Sequence, residues 1–407
     1  MGSPGAASEI YDVAIAGLGA TGSAAACALA GRGHRVLGLD RYGPPHALGS
    51  THGETRMIRE AYFEAPFYVP LVQRAYERWE ALERRAGRSL LRQTGGLLLG
   101  PPEGELVRGA HDSARRHGLP CEELRAEQIR DRFPAFLPPD GSVGIFEPRA
   151  GFLDPELCVR TFLALASDRG AEFRSDEPLE SWRTEAGAVR LRTAGGEVRA
   201  RRLLVAAGAW TPALLPDLDL PLEVHRVVQH WFRPAEEARG GAEADDVVEA
   251  GGSVAADAGN PADDLRPGRF PVWAWEYEPG RIWYGFPDLG RGVKVGLHHG
   301  RPVAGPDAVA REVGAGEVAE MRELLLRYLP AAAGPPADAS VCLYTMTPDG
   351  HFLIDRHPDH PEVVFASPCS GHGFKFASLL GEILADLLTD AEPEFDLGPF
   401  RLARFRS

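Results

Sequence analysis

The chain has 407 residues, 44% of them hydrophobic and 25% charged, with a formal net charge of -14. That length asks for two or three domains, and the acidity excludes the basic footprint that nucleic acid or an anionic membrane surface requires. With no apolar run near the ~18 residues that span a bilayer, no secretory pattern at the start, and five cysteines lacking short paired spacing, a soluble, cytoplasmic, reduced chain is expected, without a metal site.

The first element to carry chemistry is "YDVAIAGLGATG", residues 11 to 22, an apolar strand running into a glycine turn. "SAAACALAGRG" continues it as a small-residue helix, and "HRVLGLD" reads as a second strand that ends at Asp40. Strand, turn, helix and strand within about thirty residues is the setting a dinucleotide fingerprint needs. Gly17 makes the turn, Gly19 lets a pyrophosphate approach the backbone, Gly22 lets the helix sit close, and Asp40 can accept hydrogen bonds from a ribose.

Farther along, residues 68 to 87 have helical apolar spacing and end at glycine, "TGGLLLG" reads as a strand, and polar helical stretches follow to about residue 131. "DPELCVRTFLALASDRG" looks like a helix capped by Asp154, and "RRLLVAAGAWTPAL" is a second apolar strand entering a small-residue turn. The dinucleotide domain is therefore expected to be assembled from separated segments. Residues 235 to 269 hold nine Asp or Glu against three Arg without periodicity, which reads as an acidic mobile surface loop. Strands around "HFLID" and "EVVFA" close the chain, followed by a helix beginning near Gly373, whose N-terminus could stabilise negative charge on a cofactor.

Two of the 44 basic residues are lysine, Lys294 and Lys375. Lysine is a compact point charge whose pKa shifts readily on burial, whereas arginine stays charged and spreads its charge over a planar fork, so both lysines are site candidates.

Four stretches, "GLGATG", "GSTHGETRMIREAY" (49 to 62), "CLYTMTPDGHFLIDRHP" (342 to 358) and "SGHGFKFASLLGE" (370 to 382), together resemble the monomeric sarcosine oxidase and N-methyltryptophan oxidase family, which includes pipecolate oxidases. The resemblance runs to "FDLGPFRLARF" at the end of the chain. It implies an α/β (α+β) two-domain fold of the D-amino-acid oxidase and p-hydroxybenzoate hydroxylase type: a Rossmann-like FAD domain from residues 1–90, 150–225 and 345–407, and an antiparallel-sheet substrate domain from 91–149 and 226–344. It implies FAD held by a thioether from Cys342, since a thiolate is the side-chain nucleophile suited to that attachment. Arg59 and Lys375 resemble the pair that binds the substrate carboxylate, and Arg56 and His52 match positions beside the flavin ring. Lys294 resembles the lysine that places positive charge near the flavin for oxygen reduction, and Tyr284 and His298 match positions near the substrate amine. The remaining cofactor contacts implied are Arg41, Ser50, Thr51, Ala207, Gly208, Trp210, Gly371, His372, Gly373 and Phe374.

Three departures from the family stand out. Pro368 and Cys369 replace a glycine and a bulky apolar residue, the acidic segment is longer, and Ala274 occupies a pocket position where sarcosine oxidases carry a larger side chain. With Trp273 and Trp275 nearby, a substrate larger than sarcosine is expected, with strand packing the alternative reading of the two tryptophans. The implied reaction oxidises an N-methyl or cyclic secondary amino acid to an imine, which water hydrolyses, while O2 becomes hydrogen peroxide; the protein is expected as a monomer or weak dimer. A flavin-dependent amino-acid dehydrogenase or deaminating oxidase of the same fold, a nicotinamide dehydrogenase and a catalytically silent flavin-binding module are the alternatives.

Overall fold

The computed structural model describes residues 10–235 and 263–406. Its first sheet has eight strands, and its parallel centre runs Glu172–Arg174, Val36–Leu39, Tyr11–Ala16, Gly196–Val205, Val363–Ser367. Leu353–Arg356 adds an antiparallel edge, and the hairpin Ser181–Glu185 with Ala188–Thr193 extends the sheet beside the first half of Gly196–Val205. Alternation divides these strands between two cores. Val13, Ile15, Leu204 and Val364 face the helices Ala20–Gly31, Tyr68–Ala86, Pro155–Ser167 and Ala377–Leu388, while Ala14, Ala16, Leu203, Val205 and Phe365 face the opposite layer. Coverage on both faces is why "VAIAG" reads as a continuous apolar run rather than an alternating one. The helix Ala20–Gly31 is small on every side because neighbours press on it closely: a side chain at Gly381 would meet the backbone of Ala24 at 2.7 Å.

The second sheet has nine strands, all antiparallel except for the pairing of Gly96–Gly100 with Val272–Glu278. It draws on residues 96–147 and 223–346, whereas the first draws on 11–39, 172–205 and 353–367. A small three-stranded sheet, Arg56–Ile58, Gly151–Leu153 and Leu91–Gln93, lies apart from both.

The elements expected from sequence are present with small changes. Asp154 accepts from Leu157 N at 2.8 Å and starts the helix Pro155–Ser167; Gly87 ends Tyr68–Ala86 in the left-handed conformation, φ 63°. The final helix begins later than Gly373, after a 3-10 turn at Phe374–Phe376. Residues 236–262 of the expected acidic loop lie outside the described residues. Its last part does not behave as solvated loop: Leu265 is buried in a 3-10 turn, and buried Phe270 stacks on Phe136 at 4.9 Å. No helix among the described residues is long and apolar enough to cross a membrane.

Candidate active site

One elongated cavity of about 390 Å³ runs from the first glycine turn to a face of the second sheet. At the turn, Gly17 has φ +95°, and a Cβ there would meet Ala206 O at 2.5 Å. A Cβ at Gly22 would fall 1.8 Å from Gly17 O, so Gly22 works by packing and is not on the wall. Gly19 differs: the nearest atom to a Cβ there would be Thr51 Oγ1 at 3.5 Å, and what a side chain would fill is the cavity itself. Asp40 accepts from Leu18 N at 2.6 Å and from Tyr42 N at 2.9 Å, which braces the turn and leaves lone pairs for a ribose. Arg41, Ser50, Thr51, Ala207, Gly208 and Trp210 continue the wall; Trp210 Nε1 is tied to Asp307 at 3.0 Å.

The other end is one face of the nine-stranded sheet. Residues two apart on a strand share a face. Ala274, Ile282, Tyr284, Phe286, Lys294, His298, Cys342 and Tyr344 all line the cavity, and Ala274 pairs across strands with Tyr284, which pairs with Gly296. Gly296 is required there, since a Cβ would lie 2.8 Å from the Tyr284 hydroxyl oxygen. The odd-numbered residues of the same strands, Trp273, Trp275, Trp283, Val293 and Val295, face away into a separate core. Of the two readings of Trp273 and Trp275, beside the substrate or as strand packing, the core placement matches the second. On the cavity side, Ala274 adjoins Met57, Phe63 and Ile282 in an apolar wall.

Lys294 is 2% exposed. Its Nζ donates to Gly53 O at 2.6 Å and to Thr55 O and Oγ1, each at 3.0 Å, and it lies 4.9 Å from the Phe286 ring centre. The Gly53 carbonyl is flanked by N–H groups that Glu156 holds, accepting from Gly53 N at 2.6 Å and Glu54 N at 3.2 Å. Burial, with the Arg56 charge added, pushes the Lys294 pKa well down. Arg56 donates to Ser50 O at 2.7 Å and approaches the buried Cys342 Sγ at 3.5 Å. Pro368 and Cys369 are on the same wall, and Cys369 Sγ accepts from Thr345 N at 3.4 Å.

A second cationic group sits across the cavity. Arg59 is buried between the Tyr62 and Phe63 rings, 4.7 Å from each centre, and grips Glu64 with one nitrogen at 2.9 and 2.8 Å. Lys375 Nζ donates to His372 O at 2.8 Å. Burial and the Arg59 charge lower the Lys375 pKa to about 7, with Glu64 opposing. Glu64 drops to about 2, because Arg59, His372 and Lys375 outweigh its burial. His372 is neutral at ordinary pH, lowered by burial to about 4; its Nε2 contacts Gly350 O at 3.0 Å, which leaves Nδ1 to accept from the Tyr62 hydroxyl. His298, between Phe63 and Tyr344, is lowered by burial to about 3, and burial raises Tyr284 to about 12, so both are neutral groups.

Of the expected site residues, Gly22 and His52 are off the wall. His52 is buried behind it, its Nε2 without a hydrogen-bond partner among the described residues, and burial together with Arg56 lowers it to about 3. Glu64, Tyr344, Thr55 and Gln229 were not expected on the wall and are there. Strand alternation from Cys342 would have found Tyr344, and Glu64 lies just beyond the "THGETRMIREAY" stretch.

The cavity fits FAD. It begins at a glycine turn open only toward the cavity, ends at a thiol and a cation, and carries buried wall acceptors, Gln229 Oε1 and Ser367 Oγ, that have no partner within the described residues. Residues 12–387 match the family described as FAD dependent oxidoreductase. The monomeric sarcosine oxidase of Streptomyces avermitilis is 40% identical over 97% of this chain and 99% of its own. The N-methyl-L-tryptophan oxidase of an Escherichia coli strain is 35% identical over 97% and 100%. Among solved structures, NikD, an amino acid oxidase of nikkomycin biosynthesis, superposes with a TM-score of 0.80 at 26% identity, covering 97% of both chains. Fold, cavity and sequence together place this chain in the FAD-dependent oxidoreductase family, in the group that contains the monomeric sarcosine and N-methyl-L-tryptophan oxidases.

Proposed function

We propose that the protein oxidises N-methyl or other secondary amino acids, using FAD attached to Cys342 and O2 as the acceptor, and gives an imine and hydrogen peroxide. The observation that carries this reading is the presence of two neighbouring cations, Arg59 and Lys375, beside an apolar wall, in the same cavity as Cys342 and Lys294. Bound FAD supplies the two-electron oxidation of the carbon next to nitrogen and the transfer of those electrons to oxygen. The chain's own residues then have separate tasks. Arg59 and Lys375 bind the substrate carboxylate, with Glu64 holding the fork in the absence of substrate. Met57, Phe63, Ala274 and Ile282 receive the side chain, and the small Ala274 leaves room for one larger than that of sarcosine.

Arg56, Arg59, Lys294 and Lys375 line this end against the single carboxylate of Glu64, so the field disfavours an ammonium and favours the free amine that oxidation needs. Neutral His298 and the protonated phenol of Tyr284 can hydrogen-bond that amine without adding charge. The three neutral oxygens around Lys294 favour its ammonium form against burial and the Arg56 charge, and in that form it is a localised positive charge for the reduction of oxygen. The glycine turn, Asp40, Arg41, Thr51, Ala207, Gly208 and Trp210 hold the nucleotide end, and domain boundaries near residues 90, 150, 225 and 345 are part of the same reading.

Acid denaturation tests it. Yellow colour should stay with the precipitated wild-type chain and leave the Cys342→Ser chain, and air-saturated wild type should form peroxide with sarcosine, N-methyltryptophan or pipecolate. Colour released from wild type would overturn the Cys342 linkage, and a flavin-loaded protein forming no peroxide with any secondary amino acid would overturn the reaction.

A further inference from the structure

Glu147 ends the strand Val143–Glu147, is 3% exposed, and is not on the cavity wall. Its carboxylate accepts three backbone hydrogen bonds: Glu60 N reaches both oxygens, at 2.8 and 2.9 Å, and Ala61 N reaches one at 2.8 Å. These peptides follow directly on Arg59, and Ala61 O accepts the Arg59 guanidinium at 2.9 Å. One carboxylate on the nine-stranded sheet therefore holds the backbone that carries Arg59 and the carbonyl that orients its fork. The arrangement parallels Glu156, which holds the N–H groups of Gly53 and Glu54 that flank the Gly53 carbonyl at Lys294.

We propose that Glu147 is a positioning residue, which sets the Arg59 guanidinium for the carboxylate of the substrate. The inference rests on the reading of Arg59 as a carboxylate anchor. The carboxylate meets the two N–H groups with two acceptor oxygens, whereas the amide of Glu147→Gln keeps one acceptor and turns a donor toward them.

The charge also makes the clamp sensitive to pH. Burial raises Glu147 to about 7 against the pull of the Ala61 and Glu60 N–H groups. The groups facing it are Glu60, which raises it further, Arg59, which lowers it, Tyr76 from the helix Tyr68–Ala86, and Cys121; Arg149 is bound to Glu60. On protonation one oxygen becomes a donor facing N–H donors, and the three-bond clamp cannot persist.

The test uses flavin-loaded full-length protein titrated with acetate, followed by the flavin absorbance spectrum between about pH 6 and 7.5, the range where a carboxyl shifted to near 7 titrates. The ratio of wild-type to Glu147→Gln affinity should fall several-fold toward the acid end, a readout that cancels the Lys375 cation, which strengthens binding in the same direction. Glu147→Gln should bind about tenfold more weakly at the upper end, consistent with loss of a charged hydrogen-bond acceptor, and Glu147→Asp, set against Glu147→Gln, should restore the fall. Peroxide formation by Glu147→Gln should show a raised KM with kcat changed far less. The proposal is overturned by a flavin-loaded Glu147→Gln with wild-type acetate affinity, or by kcat falling with KM unchanged. A wild-type to Glu147→Gln affinity ratio that stays constant across this range overturns the proposal too. Wild type that binds acetate with this Glu147 dependence, yet oxidises no secondary amino acid, would sink the substrate reading and leave the clamp standing.

Discussion

The two lysine neighbourhoods are both buried and both cationic, and they are built differently. Lys294 donates to three oxygens that carry no formal charge, in a cradle walled by Phe286 and Trp231. Lys375 donates to one carbonyl, sits next to Arg59, and has Glu64 as counter-charge. An ammonium has three donors, so the first lysine is saturated by the protein and can act only through its field, whereas the second keeps donors for a ligand. Similar burial thus leaves different numbers of free donors, and the hydrogen-bond inventory, rather than the degree of burial, separates the two lysines.

The largest effect expected from this contrast is on Lys294→Met. Loss of a fixed charge at a site of developing negative charge costs about 10²–10³-fold in rate. It should appear in oxygen consumption and not in anaerobic bleaching of the yellow colour by substrate. Equal loss in both measurements would make Lys294 a substrate or folding residue and break the comparison. Next is Lys375→Met. Removing a charged hydrogen bond of about 1.5–3 kcal/mol should weaken acetate and substrate binding by roughly 10–100-fold, read as KM and as acetate Kd, with the oxygen half of turnover unaffected.

A smaller effect should come from pH alone. Lys375 is lowered to about 7, so its cation is present below that value and lost above it. Carboxylate affinity should therefore decline as pH rises through about 7, and Lys375→Met should abolish this alkaline limb. An alkaline limb that persists in the variant would assign it to another group. Glu147 titrates in the same region with the opposite consequence, so wild-type binding should be greatest near neutrality.

How much of this was legible in the sequence depends on distance along the chain. The glycine turn at residues 17 to 22 is local, and its strand, helix and following acid could be placed because every part lies within thirty residues. The cations and the thiol were legible through the resemblance, since their roles come from a sheet whose strands are scattered between residues 96 and 346. What alternation alone could not supply was which parity faces the cavity: Trp273 and Trp275 beside Ala274 read equally as pocket or as strand packing, and the pleat turns them away from it. His52 shares a motif with Arg56 but points behind the wall. Glu147 was out of reach, because nothing in "GIFEPRA" says that its carboxylate will meet backbone from residues 60 and 61.

The finest test of the contrast keeps both charges and changes only their shape. Lys375→Arg places a fork beside an open ligand site, where a guanidinium can still bind a carboxylate, and acetate binding should weaken only a few-fold. The substitution also removes the alkaline limb, because arginine does not lose its proton in this range. Lys294→Arg asks more, since the cradle of Gly53 O, Thr55 O and Thr55 Oγ1 is sized for one nitrogen and has aromatic rings behind it. It should behave much like Lys294→Met in oxygen consumption, although the formal charge is unchanged. If Lys294→Arg instead keeps wild-type oxygen consumption, charge alone suffices and the cradle geometry is not the reason that this position is lysine in a chain otherwise so rich in arginine.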